Sequence, residues 1–66
     1  MKIEFNRYVI ATKEHPIEFD DGSGNLISDI DHAMMWFEEK YARESLKMFD
    51  EPSEYKIIRV RVTYEF

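Results

Sequence analysis

The side chains with the most obvious chemistry lie in a polar stretch in the middle of the chain. Four oxygen-bearing residues stand at the spacing of the first, third, fifth and ninth positions of a calcium-binding EF-hand loop: Asp21, Ser23, Asn25 and Asp29. Such a loop also needs glycine at its sixth position and a bidentate glutamate at its twelfth, where this chain has Leu26 and His32. We therefore expect a plain turn here and no calcium site.

The two histidines are the next candidates, as zinc ligands. Zinc would require His15 and His32 to converge with carboxylates such as Asp29 or Asp31. His15 precedes a proline in a predicted loop, and His32 lies in the first turn of the predicted helix. We therefore expect both histidines on the surface. The chain has no cysteine, no nucleophilic-serine turn and no glycine-rich phosphate loop. The sequence predicts no enzyme, no metal site and no cofactor.

Adjacent carboxylates occur at Asp20-Asp21, Glu38-Glu39 and Asp50-Glu51. Acid–base catalysis needs two carboxylates that converge in space, which sequence neighbours rarely do, so solvated charge is the ordinary interpretation. The alternative is a row of acids spaced like the phosphates of a duplex. Such a row would compete for a nucleic-acid-binding groove on another protein.

The formal net charge of −5 is unevenly distributed over the 66 residues. Residues 14–54 hold twelve acids and three bases, whereas the two flanking segments together hold six bases and two acids. An acidic middle segment repels nucleic acid and attracts basic partners. If the ends form a sheet and the middle forms helix and loop, the molecule is dipolar.

The elements that must position these residues begin with a clear strand at the C-terminal end. From Ile58 to Phe66 every even position is apolar and every odd position is polar, which predicts a strand with one buried face. Arg59 and Arg61 would then project from the face opposite the core, beside Arg7 and Tyr8.

The first segment, residues 2–12, is also rich in strand formers, but its apolar positions change phase between Phe5 and Tyr8. One extra residue near Asn6 or Arg7 would restore the alternation, so a bulge or a bend is predicted there. A short second strand over residues 17–19 leads into a flexible loop, after which Leu26 and Ile27 pair back.

A helix is predicted to begin near Asp29, because Ser28 followed by Asp31 resembles a capping box. Two apolar stripes at helical spacing indicate either one helix with a broad buried face or a helix that breaks near Phe37 and Glu38. We favour the break. Trp36 is exposed if the helix is continuous and joins the core if it breaks.

These elements predict a single α+β domain over residues 1–66. It is a two-layer sandwich in which a small antiparallel sheet, in the order β-β-α-β, carries one helix or a broken helix pair on one face. A chain of this length has a small core, and an unpaired sheet edge favours pairing with a second copy as a homodimer. No apolar run is long enough to span a membrane and no signal peptide occurs, so we expect a cytoplasmic protein with no membrane partner.

Three segments carry a resemblance to known proteins: residues 29–37 (DIDHAMMWF), the pair Tyr41-Ala42 and residues 55–66 (YKIIRVRVTYEF). Through them the latter two thirds of the chain resembles small uncharacterised proteins encoded by phages and prophages. The resemblance implies an accessory or anti-defence factor in the host cytoplasm. Such factors inhibit a host enzyme or defence complex, several of them as DNA mimics.

Together the sequence predicts a noncatalytic protein that binds a host protein, for instance one that itself binds nucleic acid, through an acidic helix and loop surface. Trp36 would anchor the contact, and six acids would supply the field: Asp20, Asp21, Asp29, Asp31, Glu38 and Glu39. Two alternatives stay open. One is a nucleic-acid binder that uses Tyr8, Arg59 and Arg61 on the sheet face, against which the net negative charge argues. The other is a self-assembling module that pairs through the edge of the first or last strand.

Overall fold

The computed structural model of the protein describes residues 1–66 and contains one sheet and one α-helix. The strands are β1 (Lys2–Thr12), β2 (Phe19–Asp20), β3 (Leu26–Ile27) and β4 (Tyr55–Glu65), and the helix is α1 (Glu39–Leu46). Single turns of 3-10 helix occur at Ile30–His32 and Pro52–Glu54. The strands are antiparallel to their neighbours in the order β3-β2-β1-β4. The predicted α+β fold is confirmed.

The two long strands form an uninterrupted antiparallel ladder. Its eleven consecutive residue pairs run from Lys2 opposite Glu65 to Thr12 opposite Tyr55. Because no residue is skipped on either strand, β1 contains no bulge. The bulge predicted near Asn6 or Arg7 is therefore wrong.

The apolar pattern of β1 changes phase for a different reason, which is burial on both faces. Val9, Ile10 and Ala11 are consecutive and all have no exposed surface. A strand that is covered on both faces has no need to alternate apolar with polar residues. The middle of β1 is thus the centre of the core, to which α1 contributes the fully buried Ala42.

The register of the ladder sorts side chains onto two faces. The face that carries the odd-numbered residues of β1 and the even-numbered residues of β4 is called the apolar face. The helical face carries the even-numbered residues of β1 and the odd-numbered residues of β4. Asn6 and Tyr8 share a shallow cleft with Glu39 and Lys40 of α1, which places the helix over the helical face.

This assignment corrects the predicted position of the arginines. Tyr8 lies directly opposite Arg59, and Arg61 is the next residue of β4 on the same face. Arg59 and Arg61 therefore share the helical face with the fully buried Ile10 and do not project from a face opposite the core. Arg7 lies on the other face, away from them.

Arg7 lies between two phenyl rings on the apolar face. The central carbon of its guanidinium is 4.2 Å from the ring centroid of Phe5 and 4.4 Å from that of Phe37. Its hydrogen bond goes to the backbone carbonyl of Asn6, and it takes part in no ion pair. Both contacts are cation–π interactions.

The chain between β3 and α1 is not one helix. Asp29 caps the 3-10 turn Ile30–His32, because its carboxylate accepts a hydrogen bond from the backbone N–H of Asp31 at 2.9 Å. Residues 33–38 are not helical, and α1 begins at Glu39. The break near Phe37 and Glu38 is therefore present, although the part before it is a single 3-10 turn.

The break allows Trp36 to pair with β1. The backbone N–H of Tyr8 donates to the carbonyl of Trp36 at 3.0 Å, and that of Trp36 donates back at 2.7 Å. These two bonds satisfy backbone groups at a part of the β1 edge that β2 does not reach. Trp36 is consequently half-buried beside Tyr8 and does not protrude from a helix.

The molecule exposes more surface than its size requires. Its accessible surface of 5028 Å² exceeds the roughly 4,500 Å² that monomeric proteins of 8.0 kDa present. The free ends of β1 and β4 extend as a two-stranded ribbon of mostly exposed residues, in a molecule 42 Å long and 24 Å wide. Ile3 and Tyr64 form an exposed cross-strand pair on the apolar face of this ribbon. None of the helices has the length and hydropathy that a transmembrane helix requires.

Matched substitutions in β1 test where the core lies. We expect Ile10→Val to lower the free energy of unfolding by about 1 kcal/mol, because it removes a methylene group from a fully buried site. Ile3→Val removes the same group from a side chain that is 47% exposed, so its effect should stay below about 0.5 kcal/mol. Urea denaturation at equilibrium measures both, and equal losses would contradict a core centred on residues 9–11.

Candidate functional site

The largest cavity lies where the end of α1, the loop after β2 and the start of β4 meet. Its volume is about 660 Å³. Six large apolar side chains line it: Leu26, Met34, Trp36, Met48, Phe49 and Tyr55. Four acids also line it, and no lysine, arginine or histidine contributes: Asp20, Asp50, Glu51 and Glu54. We call this cavity the acidic pocket.

The aromatic wall of the acidic pocket is held by a reversal of the chain. Phe49 and Tyr55 pack edge to face, with ring centroids 4.9 Å apart and an interplanar angle of 80°. The intervening residues include the 3-10 turn Pro52–Glu54, in which proline occupies the first position that it favours. The same reversal places the acids of residues 50, 51 and 54 along the rim.

Trp36 forms part of the wall. Its indole Nε1 is buried and has no hydrogen-bond partner. A buried donor without an acceptor costs about 1–3 kcal/mol, and such groups are uncommon in native proteins. The tryptophan that the sequence suggested as an exposed anchor is therefore a half-buried residue of a cavity.

Asp20 is the one buried charged residue of the protein. Its exposure is only 5%, and it forms no ion pair. Burial raises the pKa of its carboxyl, an effect that a hydrogen bond from the backbone N–H of Gly22 opposes and repulsion from Asp21 reinforces. The wall of the pocket thus contains a carboxyl group that lacks a cation.

Gly22 is required by this geometry. Its φ of +86° lies in the left-handed region that favours glycine. A Cβ at this position would also come within 3.3 Å of the side chain of Met34. The turn that presents a backbone N–H to Asp20 therefore depends on the absence of a side chain at residue 22.

Glu51 and Glu54 lie close together on the rim. A hydrogen bond to Glu51 and repulsion from it raise the pKa of Glu54, and Glu14 adds to the repulsion. Two neighbouring carboxyl groups that resist simultaneous ionisation are relieved by a cation placed between them. The rim is therefore electrostatically suited to a positively charged ligand.

The other predicted acids lie outside the acidic pocket. Asp21 stabilises the loop after β2, since its Oδ1 accepts hydrogen bonds from the backbone N–H groups of Ser23 at 2.8 Å and Asn25 at 3.2 Å. These bonds hold the pKa of Asp21 below its usual value. Its carboxylate is already committed to the turn.

Asp29 is committed in a similar way. It caps the 3-10 turn, and its Oδ2 lies 2.8 Å from Nδ1 of His32, so that both contacts lower its pKa. Asp31 is exposed. No group of three or more His, Cys, Asp or Glu residues converges as a metal site would require.

Glu38 and Glu39 lie at the start of α1, where each has a basic partner. Glu38 is 3.4 Å from Nζ of Lys40, and Glu39 is 2.7 Å from the guanidinium of Arg43. Both glutamates line the shallow cleft beside Tyr8. Of the predicted partner-binding residues, only Asp20 and Trp36 line the acidic pocket.

The alternative nucleic-acid face is assembled, and one carboxylate on it partly offsets its positive charge. Tyr8 and Arg59 are direct cross-strand neighbours. Arg61, the next arginine along, lies 3.1 Å from the carboxylate of Glu4, which also pairs with Lys2 at 2.8 Å. Glu4 therefore offsets part of the positive charge on this face, and Arg59 has no ion-pair partner.

Sequence reasoning missed the members of the acidic pocket that come from residues 49–55. The adjacent acids Asp50 and Glu51 were a visible signal, but their pairing with an aromatic wall depends on the chain reversal. No family model matches the chain, and neither a curated protein nor a solved structure matches it. The functional interpretation therefore depends on geometry and charge.

Because the pKa of Asp20 is raised, replacing Asp20 with a neutral residue should increase the free energy of unfolding by an amount that depends on pH. The folded state binds the Asp20 proton more tightly than the unfolded state, so stability falls as the pH rises from the ordinary carboxyl pKa through the raised one. Asp20→Asn keeps an acceptor for Gly22 without the charge. We expect it to raise the free energy of unfolding at about pH 7 and to lose this advantage near pH 3, where carboxyl groups are largely protonated.

Urea denaturation at the two pH values measures the difference. The exposed Asp31→Asn serves as the control for loss of one negative charge. If the effect of Asp20→Asn is the same at both pH values, desolvation of the Asp20 carboxylate is not its cause.

Proposed function

We propose that the protein is a noncatalytic binding protein whose acidic pocket receives a lysine or arginine side chain of a partner protein. The observation that carries this proposal is the lining of the pocket, which combines aromatic rings with four acids and contains no basic residue. Aromatic faces attract cations, and carboxylates form charge-assisted hydrogen bonds with them.

The size and charge of the pocket favour a basic side chain over other ligands. A volume of about 660 Å³ lies within the range of about 300–1,000 Å³ that is typical of binding sites. An anion would be repelled by Asp50, Glu51 and Glu54. Arginine fits better than lysine, because its planar guanidinium can stack on an aromatic ring while it binds a carboxylate.

The buried Asp20 strengthens this interpretation. A carboxylate that is removed from water needs a cation or several hydrogen bonds to offset the loss of hydration. Asp20 has a backbone donor at Gly22 and no cation. A basic side chain in the pocket would supply the missing charge.

The partner class follows from the same chemistry. A host protein that binds nucleic acid exposes arginines and lysines where it contacts phosphates. Occupation of such a residue by the acidic pocket would block that contact, so the protein would act as an inhibitor that mimics the charge of DNA. The resemblance to phage-encoded proteins makes an anti-host or anti-defence role the proposed biological setting. The net charge of −5 and the pairing of Arg61 with Glu4 make direct nucleic-acid binding the weaker candidate.

The pocket should bind an isolated arginine in a short peptide. The chain has a single tryptophan, and it lines the pocket, so tryptophan fluorescence reports binding directly. The probe is a blocked peptide with one arginine among glycines. We expect the fluorescence to change and saturate as peptide is added. Glu51→Gln should weaken the affinity for the peptide by up to about fivefold, the effect of losing one partly exposed ion pair.

Two controls separate pocket binding from general attraction to an acidic protein. Glu44→Gln removes the same charge from an exposed residue of α1 that does not line the pocket, and it should leave the affinity unchanged. A peptide with citrulline in place of arginine keeps the shape without the charge and should not bind. Equal weakening by the two glutamate variants, or equal binding of the two peptides, would contradict the proposal.

The binding should also weaken in acid. The pKa values of Asp20 and Glu54 are raised, so these groups become neutral at a higher pH than ordinary carboxyl groups. Protonation removes the negative charge that attracts arginine, and affinity should fall as the pH is lowered through those raised values. Peptide titrations between about pH 7 and about pH 4 test this, and an affinity that is independent of pH would contradict it.

A further inference from the structure

β4 is an edge strand with no partner on its outer side. It is eleven residues long and lies at the end of the strand order. Its even-numbered residues bond to β1, as Phe66 shows by donating its N–H to the carbonyl of Met1 at 2.8 Å. The N–H and C=O groups of the odd-numbered residues therefore point outward. A long unpaired edge of this kind can add another strand.

We propose that a second copy of this chain occupies this edge, with the two β4 strands antiparallel and the twofold axis at Val62. This register pairs residues 58–66 of both copies. It places Arg59 opposite Glu65 of the second copy, and by symmetry the same ion pair forms twice. Neither residue has an ion-pair partner within its own chain. The proposal goes beyond the function of the acidic pocket and does not depend on it.

Charge selects this register over its neighbours. An axis at Val60 would place Arg59 opposite Arg61, and an axis at Arg59 or Arg61 would place that arginine opposite itself. Like charges directly opposite each other destabilise a strand pair. An axis at Thr63 would match Arg61 with Glu65, but Arg61 already binds Glu4 at 3.1 Å and Arg59 would be left without an acid.

The same register covers exposed apolar side chains. Val60 lies opposite Tyr64 of the second copy, and Ile58 lies opposite Phe66. Tyr64 is 57% exposed and Phe66 is 70% exposed in the single chain. Aromatic side chains paired with β-branched ones are favourable cross-strand neighbours. The two sheets become one continuous sheet of eight strands.

The dimer leaves both acidic pockets open. Pairing begins at Ile58, so the pocket residues Glu54 and Tyr55 lie outside the paired segment. Ser45 near the end of α1 lines the same pocket, so the end of each helix lies toward the start of β4. The first turn of α1 shares a cleft with Asn6, the partner of Arg61, and so lies closer to the axis.

A cysteine at the axis tests the register directly, since the chain has none of its own. In this dimer residue 62 faces its own copy as a non-hydrogen-bonded pair with Cα atoms about 4.5 Å apart, close enough for a disulfide. We expect Val62→Cys to form a covalent dimer on mild oxidation. Val60→Cys is the control, because its two copies would lie about 14 Å apart along the strand.

Charge reversal tests the ion pairs independently of any crosslink. Arg59→Glu and Glu65→Arg should each raise the dimer dissociation constant about tenfold, because each creates two like-charge pairs. The double variant with both changes restores opposite charges and should dimerise like the wild type. Arg43→Glu on α1 makes the same change of charge away from the edge and should have no effect.

Sedimentation from micromolar to millimolar concentration gives the dissociation constants, and circular dichroism verifies that each variant is folded. Recovery of dimerisation in the double variant supports the proposal even if one single variant is unstable. The proposal is overturned by a wild type that remains monomeric at millimolar concentration. Equal crosslinking at residues 60 and 62, crosslinking of Thr63→Cys in preference to Val62→Cys, or tight dimerisation by Arg59→Glu would overturn it as well.

Discussion

The pairing of β1 with β4 is the constraint on which the rest of the structure depends. Eleven residue pairs join two strands that are separated by the 42 residues from 13 to 54. Closing a loop of this length costs conformational entropy, which the ladder and its side-chain contacts must offset. The segment between the strands is consequently held at both ends, and β2, β3 and α1 pack against a frame whose register the ladder fixes.

The extent to which the sequence predicted this frame differs between its two strands. In the middle of β4 half-buried residues alternate with exposed ones, so the apolar alternation was visible in the sequence and the strand was predicted correctly. β1 is covered on both faces at residues 9–11, so its sequence does not alternate apolar with polar residues there. The predicted bulge was meant to explain this loss of alternation. The arginines were assigned to the wrong face for a related reason, since the most apolar face of β4 was taken to be the face on which the helix packs.

The candidate site shows a different limit. The break before α1 was visible as two apolar stripes, but the pairing of Trp36 with Tyr8 depends on a backbone bridge that no local pattern encodes. The acidic pocket joins Asp20 with residues 49–55, which come together only through the ladder and the reversal at Pro52–Glu54. The sequence shows the excess of acids in residues 14–54. It did not separate those held by turns and helix partners, such as Asp21 and Glu39, from those that face a cavity.

Arg7 gives the apolar face of the sheet a cation that lies between aromatic rings. Lys56, opposite Ala11, is the other cation of this face and is exposed. The guanidinium of Arg7 is stacked between Phe5 and Phe37 without a carboxylate. An entirely apolar surface that bound to this face would remove the guanidinium from water and provide no hydrogen-bond acceptor, at a cost of several kcal/mol. Nonspecific association through this face is therefore unfavourable, whereas a surface that carries a hydrogen-bond acceptor for Arg7 can still bind. A guanidinium at this position thus disfavours nonspecific apolar contacts without excluding a partner that carries an acceptor.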